Sequence, residues 1–416
     1  RQRNLSLRYI LYLMCSPQIM NKFVSLLLVI FPILNIYCLP GSSWPISYIL
    51  TILVFMYSLS RKGKLNFKLP CGFKSYWIYI SIIYILFAHN FGLGLFIPGG
   101  YSFFMWIIFF WLCNNFLDYS EFKKYYRIIF IGCSVAFLFQ EFCYYTNGVR
   151  PLFMLPLPFY GVDKLEIITN QMLLDRSSCF FIEPSHFAQF TIPLLAIEIF
   201  DNSKNKIINY FSVYIILILL LLQSGNGLVG VLVLLTIRML TYFRQSKGRY
   251  KYLSYLAFIP IALFCVYKYL ETEIGNGIME RVSGMGLSED AEGATRIIKG
   301  FLLYLEIPSV NKIFGYHIDA IEDFATSSRL SYLFVSKISG EYELYLNGFQ
   351  HVLIINGIIG MTLFMRVWLG LFVCNNLLSK SLVIIFVILL FISNQYIGQM
   401  MLICMLLPYM YKNNRL

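Results

Sequence analysis

The sequence predicts an all-α polytopic membrane protein of about twelve transmembrane helices with two large extracytoplasmic loops. Three observations carry this. Hydrophobic residues make up 58% of the 416 and charged residues only 13%, roughly half the ~25% charge of a soluble domain. Apolar runs of helix-spanning length recur along nearly the whole chain, and in a bilayer only helices or closed barrels satisfy their own backbone. The runs are continuously apolar instead of alternating, which excludes a β-barrel.

Taken in order, residues 1–22 read as a cytoplasmic N-terminal segment. Within "MNKFVSLLLVIF", Met20 reads like a natural start, so 1–19 are expected to be upstream sequence or an amphipathic lead-in. No small-residue cleavage site marks a signal peptide. Five spans near 23–39, 44–59, 75–90, 101–117 and 128–146 fill residues 23–146. A first outer loop follows at 147–184. Four spans near 185–200, 208–223, 225–242 and 252–270 come next, then the larger outer loop at 271–346. Spans near 347–368, 369–391 and 394–411 and a cytoplasmic tail complete residues 347–416. Only Arg366 and Asn375-Asn376 interrupt the apolar run between the tenth and eleventh spans.

Orientation follows from the basic residues. Arg61, Lys62, Lys64, Lys68 and Lys74 share one loop, Lys123, Lys124 and Arg127 another, and Arg244, Lys247, Arg249 and Lys251 a third. Alternating spans place all of these on one side, with Lys204, Lys206, Lys412 and Arg415. By the positive-inside rule that side is cytoplasmic, as are both termini. The net charge of +12 is therefore a topology signal, and its dispersal over separate loops argues against nucleic acid as a partner. The two long loops face outward and hold most of the acids. Most of the ten cysteines fall inside spans, so neither a disulfide framework nor a zinc spacing emerges.

Four stretches combine polar chemistry with a membrane edge. In "DRSSCFFIEPSHFAQF", Pro184 suits the first turn of a helix, which puts Glu183 at the N-cap of the sixth span with Arg176 just upstream. A helix N-terminus there is a natural anion site, although an ordinary interfacial cap explains the same pattern. "LLQSGNGLVGVLVLL" makes a tight turn between the seventh and eighth spans, or simply supplies glycines for packing. "GATRIIKGFLLYLEIPSVNKIFGYHIDA" places Arg296 and Lys299 on an amphipathic helix ending near Pro308, with Arg281 upstream and the "FGYHID" turn behind. Such a helix suits anionic headgroups or a pyrophosphate, or else is a solvated face. "LNGFQHVLIINGIIGMTLF" opens the tenth span with Asn347 and His351. A neutral histidine finds few partners in a bilayer, so its reading stays balanced between function and structure.

The order of these four stretches resembles the O-antigen polymerase family, bacterial enzymes that polymerise lipid-linked oligosaccharide repeats. The resemblance covers about 20–411 as topology and only the four short stretches as sequence. It departs at "QSGNG", where many relatives carry a Ser/Thr-rich turn. What it implies is glycosyl transfer on the outer face of the bacterial inner membrane. The donor is a growing glycan on undecaprenyl pyrophosphate and the acceptor one lipid-linked repeat unit. A leaving pyrophosphate asks for arginines, here Arg176, Arg296 and Arg281. The attacking hydroxyl asks for a base, first Glu183 and second His351. His317, Asp319 and Asn347 are expected to bind sugar. No cofactor and no metal is implied. Glu271/Glu273 and Glu341/Glu343 have acid-x-acid spacing, but such pairs are common by chance. Membrane lipids are partners by composition, and a chain-length regulator and a flippase by resemblance. Two other readings stay open: an O-antigen ligase, and a lipid-linked oligosaccharide flippase, which would bind near the midplane through broken helices and buried charge.

Overall fold

The computed structural model describes residues 17–38, 44–62, 69–70, 72–91, 93–151, 153, 155, 177–201, 209–245, 268, 272, 292–316, 320–334, 346–373, 376–393 and 398–413. Side chains at 17, 60–62, 84, 87–91, 93–103, 245, 292–297 and 333 fall outside that description. Among the described residues every regular element is helical, and the sole extended feature is an isolated bridge between Cys38 and Pro45. In chain order the helices are α1 (Pro17–Leu34), α2 (Ile46–Lys62), α3 (Phe73–Phe91), α4 (Leu93–Phe116), α5 (Tyr119–Asn147), α6 (Pro184–Phe200), α7 (Tyr210–Leu221) and α8 (Gly225–Gln245). Then come α9 (Glu292–Glu306), α10 (Ser309–Phe314), α11 (Ile321–Ser327), a 3₁₀ turn at Ser331–Phe334, α12 (Gly348–Phe372), α13 (Leu377–Ile392) and α14 (Gln399–Lys412). By length and composition three of these, α5, α8 up to Arg244, and α12, are long and apolar enough to cross a membrane. Shorter apolar helices accompany them, among them α7 and α13.

The chain forms two compact units, one of residues 1–68, 104–194 and 413–416, the other of 69–103 and 195–412. In the first unit α5 shows how sequence becomes a spanning helix. Asp118 caps it: the carboxylate accepts from the backbone N–H of Ser120 at 3.0 Å and of Glu121 at 3.3 Å. Gly148 ends it in the left-handed conformation, φ +67°, donating to the Tyr144 carbonyl. One face buries Phe122, Tyr126, Phe130, Cys133 and Phe137. The opposite face exposes Ile128, Ile131, Val135, Leu138, Phe139, Phe142 and Tyr145, each by 39–71%. At ~1.5 Å per residue that apolar stripe runs about 26 Å, most of the ~30 Å of a hydrocarbon core. It begins directly after the basic Lys123, Lys124 and Arg127. Such a continuous greasy surface is at home in lipid.

Asp118 also ties α5 to α1, because its backbone N–H donates to the Ser25 hydroxyl at 3.0 Å. The Ser120 hydroxyl, then the backbone N–H groups and more distantly Lys22, hold the Asp118 carboxyl below the usual range. A depressed folded-state pKa contributes stability above the unfolded carboxylate pKa, and that contribution is lost as pH falls through the lowered value. Asp118→Ala is therefore expected to lower stability at neutral pH by about 1 kcal/mol and to blunt the acid limb of the profile. Thermal melts of the detergent-solubilised protein between pH 3 and 7 check this; unchanged melting at pH 7 would remove the cap from the account.

The helices differ from the hydropathy spans in two instructive places. The fifth span was expected at 128–146, yet the helix starts at Tyr119, because the capped, charged first turns continue the helix beyond the apolar stretch. The tenth was expected to end at Arg366–Trp368. Instead α12 runs through to Phe372, and α13 begins at Leu377, capped by Asn376, whose side chain accepts from the N–H groups of Leu378 and Ser379. Arg366 is exposed and compatible with a helix; Asn376 is the residue that can cap one. The expected span 252–270 and its neighbours through 291 lie outside the described residues, save Lys268 and Thr272.

Candidate functional site

In the first unit, polar groups gather where α5 ends and α6 begins. Helix α6 starts at Pro184, so Glu183 stands at its cap position, its carbonyl accepting from the backbone N–H groups of His186 and Phe187. The Glu183 carboxylate accepts from the Ser185 hydroxyl at 2.8 Å, and His186 lies within its electrostatic reach. The segment leading to it is pinned from α5. Gln140, buried, accepts from the Cys179 backbone N–H at 2.8 Å and donates to the Pro151 carbonyl at 2.9 Å. Phe181 stacks on Phe187 with ring centroids 5.3 Å apart. Cys179 takes a positive φ of 57°, and burial pushes its thiol pKa up. A thiol held protonated is no nucleophile.

Beside this segment stands Arg150. Its Nε lies 3.5 Å from Glu141 Oε1 and donates to the Ser177 hydroxyl at 3.2 Å, and its guanidinium sits 3.4 Å above the Tyr144 ring centroid. Both charged side chains are mostly withdrawn from solvent, 14% exposed for Arg150 and 20% for Glu141. A carboxylate, a ring face and a hydroxyl thus hold the guanidinium in one orientation. Ser177 is the residue after Arg176. The described segment 177–183 thus carries at one end the hydroxyl that fixes Arg150 and at the other the hydroxyl-supported carboxylate of Glu183.

In the second unit, α12 opens with a capping box. Asn347 Oδ1 accepts from the Gln350 backbone N–H at 2.8 Å, and the Gln350 side chain accepts from the Asn347 N–H at 3.1 Å. Asn347 is buried, and its Nδ2 has no hydrogen-bond partner among the described residues. His351, half-buried, follows one turn later and donates its backbone N–H to the Asn347 carbonyl. Deeper in α12 the helix breaks at Gly357, φ +63° and ψ −174°. The Gly315 turn docks at this break: the Tyr316 N–H donates to the Ile354 carbonyl at 2.8 Å. The Tyr79 hydroxyl lies 2.9 Å from both the Phe314 and the Asn356 carbonyls, and Asn356 donates to the Tyr76 hydroxyl. The "FGY" and "NGIIG" stretches of the sequence are one contact in space.

Of the residues expected to act, Glu183 belongs to the first unit, and Asn347 and His351 share one turn of the second. The predicted amphipathic helix is α9, which ends just before Pro308 as anticipated. Arg296 lies in it, with its side chain outside the described part. Arg176, Arg281, His317 and Asp319 lie outside the described residues, as do both acid-x-acid pairs. No cluster of three or more His, Cys, Asp or Glu suited to a metal occurs among the described residues. Sequence reasoning passed over Arg150; the signal was a basic residue just past a helix-ending Asn-Gly. The "QSGNG" turn is tight as expected, but its positive φ falls on Gln223, not on a glycine.

No protein-family model matches the chain, and a search of curated proteins finds no significant match.

Proposed function

We propose that the protein is a multi-pass glycosyltransferase of the bacterial inner membrane that joins undecaprenyl-pyrophosphate-linked oligosaccharide repeats into O-antigen or a related surface polysaccharide. In this reading about twelve helices cross the membrane with both termini cytoplasmic, and the two long loops form the outer working face. The observation that carries it is the Glu183 carboxylate, supported by Ser185 at the head of α6 and next to a segment pinned by Arg150 and Gln140. A hydroxyl of the acceptor's terminal sugar attacks the donor's anomeric carbon. The bond from that carbon to the pyrophosphate oxygen breaks, the lipid pyrophosphate leaves with the electron pair, and the hydroxyl proton passes to Glu183. A single displacement inverts the anomeric centre. Arg176, Arg296 and Arg281 neutralise the departing pyrophosphate; the buried amide of Asn347, without a hydrogen-bond partner among the described residues, is a donor for sugar, and His317 and Asp319 are assigned the same role. A chain-length regulator and a flippase would be its working partners.

Arg176→Ala and Arg296→Ala are each expected to abolish or strongly shorten the polymer while the protein still accumulates in the membrane. Lysine should rescue poorly, because an ammonium has no planar fork for paired hydrogen bonds. The readout is the sugar ladder on lipid-linked glycan; full-length polymer from both alanine variants would sink the pyrophosphate assignment. One observation favours the flippase reading, the break of α12 at Gly357, since transporters bind substrate at interrupted helices. A deletion strain separates the two: loss of a polymerase leaves single repeat units at the outer face, and loss of a flippase leaves none there.

A further inference from the structure

We propose that α10 and the turn at Gly315–Tyr316 form a re-entrant element lying inside the membrane beside α12, with Val310, Ile313 and Phe314 facing the hydrocarbon chains of bilayer lipid. The proposal rests on α3 and α12 crossing the membrane, and not on the glycan chemistry.

Two helices act as independent depth gauges. Gly315 docks at the Ile355–Gly357 break, nine residues into α12, which at ~1.5 Å per residue is about 13 Å from its first turn. The Phe314 carbonyl meets the Tyr79 hydroxyl, six residues into α3, or roughly 9 Å from the end that follows the basic 61–74 loop. Either measure puts the turn below a headgroup layer, in a bilayer whose hydrocarbon core is about 30 Å thick. A hydropathy reading assigns 309–316 to an outer loop because the stretch is too short to span.

Irregular backbone survives at such depth only if its polar groups are satisfied by protein. Here four of the carbonyls have donors within the protein. Asn311 accepts from the Gly315 N–H at 2.7 Å, Lys312 from the Tyr304 hydroxyl at 3.0 Å, Phe314 from Tyr79, and Gly315 from the Asn311 side-chain amide at 3.0 Å. The Tyr316 N–H goes to Ile354. While these carbonyls are bonded within the protein, apolar side chains beside them are not covered: Val310, Ile313 and Phe314 are exposed, and Ile298, Leu302 and Leu305 extend the apolar surface along α9. A surface loop in water would show the reverse, solvated carbonyls and buried apolar groups. Lys312, the one charge in 309–316, has a stem long enough to snorkel.

The test attaches an environment-sensitive fluorophore at Ile313→Cys in the purified full-length protein, reconstituted in phosphatidylcholine vesicles, with the parent's labelling background subtracted. Leu138→Cys on the lipid face of α5 and Lys124→Cys at its charged end are the references. The expected result is that chain-brominated phosphatidylcholine removes most of the Ile313 signal, as at Leu138, and that aqueous iodide leaves it nearly untouched. Iodide quenching equal to that at Lys124 would overturn the proposal. So would quenching by neither agent, because the face would then be covered by protein, whether a second copy or this chain. Val310→Cys carries the same expectation should the Ile313 variant fail to assemble.

Discussion

Gly357→Ala is expected to cost the protein about 3 kcal/mol or more, enough to prevent accumulation of a monodisperse membrane protein. The φ of +63° with ψ near 180° belongs to a region that only glycine enters freely, and forcing an L-residue to positive φ costs about 1–2 kcal/mol. Space is the second obstacle. A Cβ there would overlap the Ile313 carbonyl and come within 2.6 Å of the Gly315 backbone nitrogen. Both are backbone atoms that no rotamer change can move, so the cost falls at the upper part of the ~1–3 kcal/mol typical of overpacking. Gly315→Ala meets the same opposition from the other side, with φ +101° and the Ile355 carbonyl in the way. Gly132→Ala is the contrast. It sits inside α5 with nothing within 4 Å of the new Cβ, and alanine there should be neutral or stabilising by up to roughly 1 kcal/mol. Size-exclusion profiles and melting temperatures of the three variants check the ranking. Wild-type melting of Gly357→Ala would mean that α12 does not break there.

Glu183→Gln is expected to lower polymerisation by roughly 10² to 10⁴, the usual loss when a general base is removed, with donor binding intact. The substitution isolates basicity. Glutamine keeps the size and can still accept from the Ser185 hydroxyl, which now bonds the carboxylate at 2.8 Å, and the backbone start of α6 does not depend on the side chain's charge. If Glu183 only begins the helix, the change costs about 1 kcal/mol of stability or less and the glycan ladder stays nearly normal. Turnover of purified enzyme on lipid-linked repeat units decides between them. Near-normal turnover would transfer the base to His351, and His351→Gln would then show the larger loss.

What could be read without coordinates was whatever is decided within a turn or two of chain. Pro184 marked the start of α6, the spacing in "GATRIIKGFLLYLEIP" marked α9 and its end, and hydropathy marked a membrane protein built of helices. Helix boundaries were missed where capping, not hydrophobicity, sets them, as at Asp118 and Asn376. Arg150 was passed over because its meaning comes from Glu141, Tyr144 and Ser177. Ser177 stands 27 positions away, and no local pattern encodes that partnership.

By itself the sequence determined the class of molecule, because the cost of exposing apolar runs to water and backbone to lipid is summed locally along the chain. It also supplied the candidate chemistry, residue by residue. Only the tertiary structure decided which of those residues meet. Gly315 and Gly357 read in sequence as two ordinary glycines in two separate motifs. Folded, a Cβ on Gly315 would meet the Ile355 carbonyl and a Cβ on Gly357 the Ile313 carbonyl and the Gly315 nitrogen, and a contact that close is set by the packing of α10 on α12 and not by either motif alone.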